Sequence, residues 1–345
     1  MRRSLSVAAL LCWPLLLMSG TALAGEEVPD AFDDGAIFQI KYPAWFKQSF
    51  LTLADDAEDA EAAGKEGLFL FFTTQGCSYC HLFIEQSLGD PTLAARLREH
   101  FDSIGLEIFS DAEMTDFDDK QTRVKTFALE QGVEFAPSLL FVDTDGEPLL
   151  RLTGYYGPER FAQVLDYLTT DAGEGLSWRE YLAVLRSDRS GSAAPLRSDP
   201  LFAEPPFALN RSEFPAERPL LVLFETSGCA RCERFHDQVL ADATIREQLA
   251  GFDIVRLDAS DEQTPVLTPG GERTNAADWY QTLGFTQLPA LAFFSETGEP
   301  VLTTDALVLQ SRMTNSIGFV NERAYERGWN YQRYARSQAL KKAAD

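Results

Sequence analysis

The stretch Leu68-Phe69-Leu70-Phe71-Phe72-Thr73-Thr74-Gln75-Gly76-Cys77-Ser78-Tyr79-Cys80 decides the fold. Leu68 to Phe72 is an apolar run of strand length, which predicts a buried strand. Thr, Gln and Gly break the run and supply a turn. Two cysteines with two residues between them follow, where Leu82, Phe83 and Leu88 open an amphipathic helix. Cys77 is therefore expected at a helix N-terminus, where unpaired N–H groups and the helix dipole favour a thiolate. Cys80 lies one turn on, close enough to close a disulfide. Strand, C-x-x-C and helix in that order suit thiol–disulfide exchange.

The pattern recurs. Cys229 and Cys232 follow Cys77 and Cys80 by 152 residues, and Pro289 follows Pro137 by the same 152. Gly146-Glu147-Pro148 returns as Gly298-Glu299-Pro300, Asp90 and Thr92 as Asp242 and Thr244, and Gly132 as Gly284. A constant shift over so many positions indicates duplicated domains.

The chain has 345 residues, 45% of them hydrophobic and 24% charged, which is room for two ordinary globular domains. Arg2 and Arg3, the apolar residues 7–18 and Ala22-Leu23-Ala24 form a secretory signal with cleavage after Ala24. Residues 1–24 are thus expected to be removed, and the protein to be periplasmic. An uncleaved anchor is the alternative reading. Removing the signal leaves 28 basic and 53 acidic residues, a net charge of about −25. That surface repels phosphate backbones and argues against nucleic-acid binding. Cys12 falls within the signal, so the remaining cysteines are two C-x-x-C pairs; staples for stability would be scattered over longer loops.

Taken in order, residues 25–36 are expected to be loose, 37–42 a short strand and 46–63 a helix with Phe46, Phe50, Leu53 and Ala57 on one face. After the first cysteine pair, residues 91–101 continue as helix and 103–109 form a strand. Residues 110–119 are acidic and irregular, and 120–131 form a helix stopped by Gly132. Residues 138–142 and 148–153 are strands joined at Asp145-Gly146, and 158–168 are the closing helix. Domain one is thus 37–172. A linker, 173–206, holds a short helix capped by Ser177 with Glu180 and a Ser/Pro-rich connector that reads as mobile. Domain two is 207–345. It lacks a clear equivalent of the first helix and ends in a long helix, 312–342, packed on its sheet; a basic tail docking on an acidic surface or a membrane is the rival reading.

This order of elements resembles the thioredoxin fold in both halves. It implies α/β architecture: two tandem thioredoxin-like domains, each three-layer α/β/α with a mixed central sheet. The likeness is nearest to SoxW-like exported thioredoxin-like proteins, on Phe71-Phe72 through Gly76-Cys77-Ser78-Tyr79-Cys80, on the segment 115–118 and on 141–146. The resemblance implies that Cys77 and Cys229 attack as thiolates and that Cys80 and Cys232 resolve. Pro137 and Pro289 match the family's cis-proline. Beside them Ala136 and Leu288 would offer backbone N–H and C=O to an extended substrate as an added strand. Tyr79 and Arg231, between the cysteines, would complete the substrate surface. No cofactor is implied, since the electrons reside on sulfur. Partners would be protein or small-molecule thiols and disulfides, with a membrane electron-transfer protein as reductant, in a role of extracytoplasmic redox homeostasis.

Three departures from the family stand out. A buried carboxylate six residues before the first cysteine is replaced by Phe71 and Leu223, leaving deprotonation to water or another group. Ser78 and Ala230 stand where many members have proline. The two sites also differ: Arg231 adds positive charge near Cys229, opposed by Glu225 and Glu233, while Tyr79 and His81 flank Cys80. Unequal thiol pKa values are expected.

The same residues admit other readings. The cysteine pairs could be structural disulfides within a non-catalytic tandem binding or assembly module. A single zinc on four cysteines is disfavoured by the 149-residue gap from Cys80 to Cys229. His81, His100 and His236 lack ligand spacing and are expected at the surface or on helices. The acids of 111–119 read as a solvated loop before a cation site.

Overall fold

The computed structural model describes residues 28, 29, 32–187 and 196–344. The signal lies outside the described residues, as do residues 188–195 of the connector.

The first domain runs α1 (Leu53–Ala62), β1 (Gly67–Thr73), α2 (Ser78–Gln86), α3 (Pro91–His100), β2 (Phe101–Glu107), β3 (Glu113–Thr115), β4 (Gln121–Arg123), α4 (Val124–Glu130), β5 (Ser138–Asp143), β6 (Pro148–Thr153), α5 (Pro158–Thr169) and α6 (Trp178–Ser187). The main sheet has the order β2-β1-β5-β6, with β1 parallel to β2 and antiparallel to β5. Every residue of β1 is buried, which explains its unbroken apolar run. Phe71 meets Phe83 of α2 at 5.2 Å, and Phe83 meets Phe161 of α5. Phe72 meets Phe127 of α4 across the other face. Helices thus cover both faces, giving three layers.

The second domain repeats the plan with β7 (Leu220–Glu225), α7 (Ala230–Phe235), α8 (Ala243–Leu249), β8 (Asp253–Asp258), β9 (Pro265–Leu267), β10 (Arg273–Asn275), α9 (Ala276–Thr282), β11 (Ala290–Phe294), β12 (Pro300–Thr304), α10 (Gln310–Asn321) and α11 (Tyr331–Ala344). Its sheet order, β12-β11-β7-β8, matches the first. The recurring Asp-x-Thr proves to be a pair of helix caps. Asp90 accepts from the N–H groups of Thr92 and Leu93, and Asp242 from those of Thr244 and Ile245. Each cap contributes about 1 kcal/mol. The Ser177–Glu180 capping box forms as expected.

Several elements differ from the sequence reading. Residues 37–42 form no strand; Phe38 and Ile40 instead bond singly to Gly76 and Gln75. The first helix starts only at Leu53, because Leu51 is left-handed (φ 64°), and Phe50 lies outside it, 99% exposed. Residues 110–119 are not irregular throughout: Glu113–Thr115 pairs with Gln121–Arg123 as a hairpin, so the next helix begins at Val124. Two of the acids there are engaged, Asp111 by Arg123 and Lys125, and Asp116 by the N–H groups of Asp118 and Lys120. The expected single C-terminal helix is two. Left-handed Arg323 (φ 48°) and Gly328 (φ 68°) bracket a short turn of helix, Ala324–Arg327, and let α11 fold back on α10.

The connector is also partly fixed. Asp199 binds Arg246, Ala203 N–H donates to the Ile254 carbonyl, and Phe202 joins the second domain's core. The two domains pack closely. Gly154 (φ 94°) lacks the Cβ that would meet Ala306 at 2.5 Å. Phe135 of the first domain belongs to the core of the second, stacked on Tyr331 at 4.6 Å.

Candidate active sites

Gly76 (φ 85°) and Gly228 (φ 71°) make the turns that deliver Cys77 and Cys229 to their helices. Each cysteine is the N-cap. Cys77 Sγ accepts from Cys80 N–H at 3.1 Å, and Cys229 Sγ from Cys232 N–H at 3.1 Å. Both pairs are closed as disulfides, Cys77–Cys80 and Cys229–Cys232. Ala136-Pro137 and Leu288-Pro289 are both cis. Phe71 and Leu223, where the resemblance led us to look for a carboxylate, are buried and apolar.

The two sites diverge in access. Cys77 is only 9% exposed and Cys80 fully buried. Ala136 does not present free backbone groups, as the resemblance implied. Its N–H donates to Gln332 Oε1 at 3.0 Å, and its carbonyl accepts from Arg312 Nη2 at 3.2 Å. Both partners come from the second domain's C-terminal helices, so the edge meant for a substrate is satisfied within the chain. Tyr79 is likewise wrapped rather than offered to a substrate. Arg312 lies 3.6 Å over its ring, and its hydroxyl donates to Asp34 and accepts from Leu309 N–H. Burial pushes its phenol well above the ordinary range. Asp34 also accepts from the N–H groups of Ser311 and Arg312, capping α10, whose own first residue offers no side-chain cap. The N-terminal segment, expected to be loose, is therefore tied down at Asp34. What remains beside Cys77 is a cleft of about 80 Å³ among Gln75, Ala136, Arg312 and Gln332, room for about two waters.

The second site is more open. Cys229 is half-buried and Ala230 exposed. The loop before Pro289 is held from behind: Asp305 accepts from the N–H groups of Thr286 and Gln287, and Tyr280 donates to the Gln287 carbonyl. Arg231 donates to Gln287 Oε1 at 2.8 Å, Arg160 of the first domain approaches the same oxygen, and Gln287 Nε2 donates to Tyr156. The half-buried Leu288 stands between this network and Pro289.

Sequence reasoning missed a buried ionic cluster beneath the second site. Glu225, the last residue of β7, is 2% exposed. It is not an unpaired charge opposing Arg231: it binds His236 Nε2 at 2.9 Å and Arg256 at 3.2 Å. His236, expected at the surface or on a helix, sits buried in the π-helical turn His236–Leu240 after α7. The 152-residue shift puts Thr73 and Ile84 at the corresponding places of the first domain. A buried strand end changing from Thr to Glu while its helix neighbour changes from Ile to His was the available signal. His81 stacks on Phe38, and His100 pairs with Glu66.

Two lobes of this topology, each with a cysteine pair capping a helix and a cis X-Pro bond before the hairpin, define a thioredoxin-fold protein. The family model described as thioredoxin-like domain matches residues 53–169 and again 215–320, and the chain belongs to that family. No curated protein matches it. Among solved structures, a thioredoxin-fold protein from Helicobacter pylori is 16% identical over 40% of this chain and 92% of its own, with a TM-score of 0.34. A thioredoxin from Thermus thermophilus is 21% identical over 36% and 91%, TM-score 0.29. A DsbH oxidoreductase is 17% identical over 41% and 92%, TM-score 0.27. Likenesses this low carry no functional argument.

Proposed function

We propose that this protein is an exported, periplasmic thiol:disulfide oxidoreductase of SoxW-like kind. The carrying observation is the repeated constellation: in both domains a C-x-x-C cysteine caps the helix that follows a buried strand. In the reducing direction, the Cys229 thiolate attacks a substrate disulfide. A mixed disulfide forms and one substrate thiolate leaves. The Cys232 thiolate then attacks Cys229 sulfur, releasing the second substrate thiol and closing Cys229–Cys232. Two electrons pass to the substrate, and a membrane electron-transfer protein restores the dithiol.

The second site is the one that meets external substrate, because Cys229 is only half-buried beside the exposed Ala230 while Cys77 is walled by Arg312 and Gln332. A relay from the second pair to the first is the companion reading, favoured by the second domain forming the mouth of the first site. The test is trapping. Cys232→Ser should accumulate a mixed disulfide at Cys229 in periplasmic extract, visible as a dithiothreitol-sensitive adduct by mass spectrometry. Absence of any adduct from Cys232→Ser and Cys80→Ser alike would return the pairs to structural staples. A full chain carrying Cys77→Ser and Cys80→Ser that matches the parent's rate would dispose of the relay.

A further inference from the structure

The second cysteine pair has a buried histidine on its helix that the first lacks. Cys232 is 2% exposed and His236 3%. His236 lies four residues beyond Cys232, and its N–H donates to the Cys232 carbonyl. The two side chains therefore share one helix face. Helical side chains lean toward the N-terminus, which carries the imidazole back toward the sulfur. In the first domain the place four residues beyond Cys80 holds Ile84.

Glu225 decides which ring nitrogen is available. It meets Arg256 at 3.2 Å and His236 Nε2 at 2.9 Å, so it stands as a carboxylate, which only accepts. In the neutral ring Nε2 must then carry the hydrogen, which leaves Nδ1 as a bare lone pair. Nδ1 is buried and has no hydrogen-bond partner among the described residues. A buried acceptor left empty costs about 1–3 kcal/mol, and a catalytic role is one explanation for such an exception. The other charges around the ring are engaged with one another. Asp199 of the connector, near enough to interact with the imidazole, is held by Arg246. Asp258, opposite Glu225 on β8, accepts from Ser260 N–H. Glu233 and Asp237 of the same helical stretch bind Arg197, and Phe202 packs edge-on against the ring.

We propose that His236 is the proton acceptor for the Cys232 thiol, and that Glu225 is the positioning residue that fixes its tautomer. The inference rests on the exchange reading above and adds the step that arms the second cysteine. A thiol so deeply buried needs an acceptor inside the fold, because burial disfavours the thiolate. Once Cys229 holds a mixed disulfide, the Cys232 thiol passes its proton to Nδ1. The resulting thiolate attacks Cys229 sulfur, the Cys229–Cys232 bond forms, and the bond from Cys229 to the substrate breaks. The leaving thiolate takes the proton from the imidazolium, directly or through solvent. Two electrons pass from the protein pair to the substrate. The pair is closed in this structure, so Cys232 has no proton to give and Nδ1 stands empty.

The test follows one turnover of the reduced full chain carrying Cys12→Ser, Cys77→Ser and Cys80→Ser with the chromogenic disulfide dithiobis(nitrobenzoate) in stopped flow. Attack by Cys229 releases one coloured thiolate at a rate set by reagent concentration. Closure by Cys232 releases the second at a rate independent of it, and Cys232→Ser should abolish that phase alone. His236→Gln should slow closure at least about tenfold while changing the first phase little. Between about pH 6 and 8.5 closure in the parent should level off, whereas in the variant it should climb about tenfold per pH unit, as for a thiol that ionises to water. A folded His236→Gln chain that closes at the parent's rate, or one in which both phases slow alike, would overturn the assignment. So would a parent whose closing phase climbs about tenfold per pH unit throughout; that arm needs no variant. If the parent releases no second thiolate, the exchange reading fails at this site and takes the acceptor with it.

Discussion

Gln332, near the start of the last helix, accepts the backbone N–H of Ala136 across 196 residues of sequence. Arg312 completes the pair by donating to the Ala136 carbonyl. Together they occupy the donor and acceptor that an added strand would use. The first site is therefore latched by its neighbour, and the chain's two chemically similar centres differ in access before any substrate arrives.

Releasing the latch should expose the first pair. Each hydrogen bond at Ala136 contributes about 1 kcal/mol net. Gln332→Ala combined with Arg312→Met should thus raise the opened population by about tenfold or more. Timed alkylation under limiting dithiothreitol, read by peptide mass spectrometry, should show Cys229–Cys232 opening first in the parent. In the double variant Cys77–Cys80 should catch up. An unchanged order would show that the contacts do not govern access.

Asp34 accepts from three groups: the Tyr79 hydroxyl and the two N–H groups at the start of α10. Asp34→Ala should cost about 1–2 kcal/mol in denaturant unfolding, the price of a lost cap and a phenol O–H without its acceptor. Asp34→Asn should recover much of it, because the amide oxygen still accepts. Equal stability of Asp34→Ala and the parent would remove the capping role.

Glu225 is buried against His236 and Arg256, with a side-chain exposure of 3%. Removing one member of such a cluster strands the others, at a cost of about 3–5 kcal/mol. Glu225→Gln should therefore destabilise the second domain in urea, whereas Thr73→Ser, at the equivalent place in the first, should shift its midpoint little. A Glu225→Gln chain as stable as the parent would mean that the cluster contributes nothing net.

Burial holds Tyr331 neutral and pushes its phenol up to about 12 from an ordinary 10.0. The folded chain keeps a proton that the unfolded chain loses above pH 10. The associated stability is complete below about pH 10 and gone by about pH 12, a span worth about 3 kcal/mol. Burial raises Tyr79 in the same direction. Urea midpoints should fall steeply across that window, and Tyr331→Phe should flatten the fall. A parent curve flat to pH 12 would contradict the burial.

The fold was legible because its signals are local and repeated. The apolar run ending at Phe72, the cysteines at a helix start, Gly132 at a helix stop and the constant 152-residue shift all follow from short-range rules. Those that failed depend on distant partners. Phe50 fits a helical spacing, but Leu51 turns left-handed and ends the pattern. Residues 312–342 look uniformly helical, yet Arg323 and Gly328 reverse the chain. The free edge at Ala136 was inferred from one domain alone, and no local pattern announces that Gln332 will fill it. Glu225 reads in the sequence as a charge opposing Arg231, and only the fold brings His236 and Arg256 around it.

The stacking of Phe135 on Tyr331 has a bearing on how separable the two lobes are. Two self-sufficient lobes would each keep a core of their own, but here one has lent an aromatic ring to the interior of the other. Cutting the chain between them would bare Phe135 on one fragment and leave a hole in its sibling. The two lobes thus share part of one interior, and the packing of either depends on a ring or a helix supplied by the other.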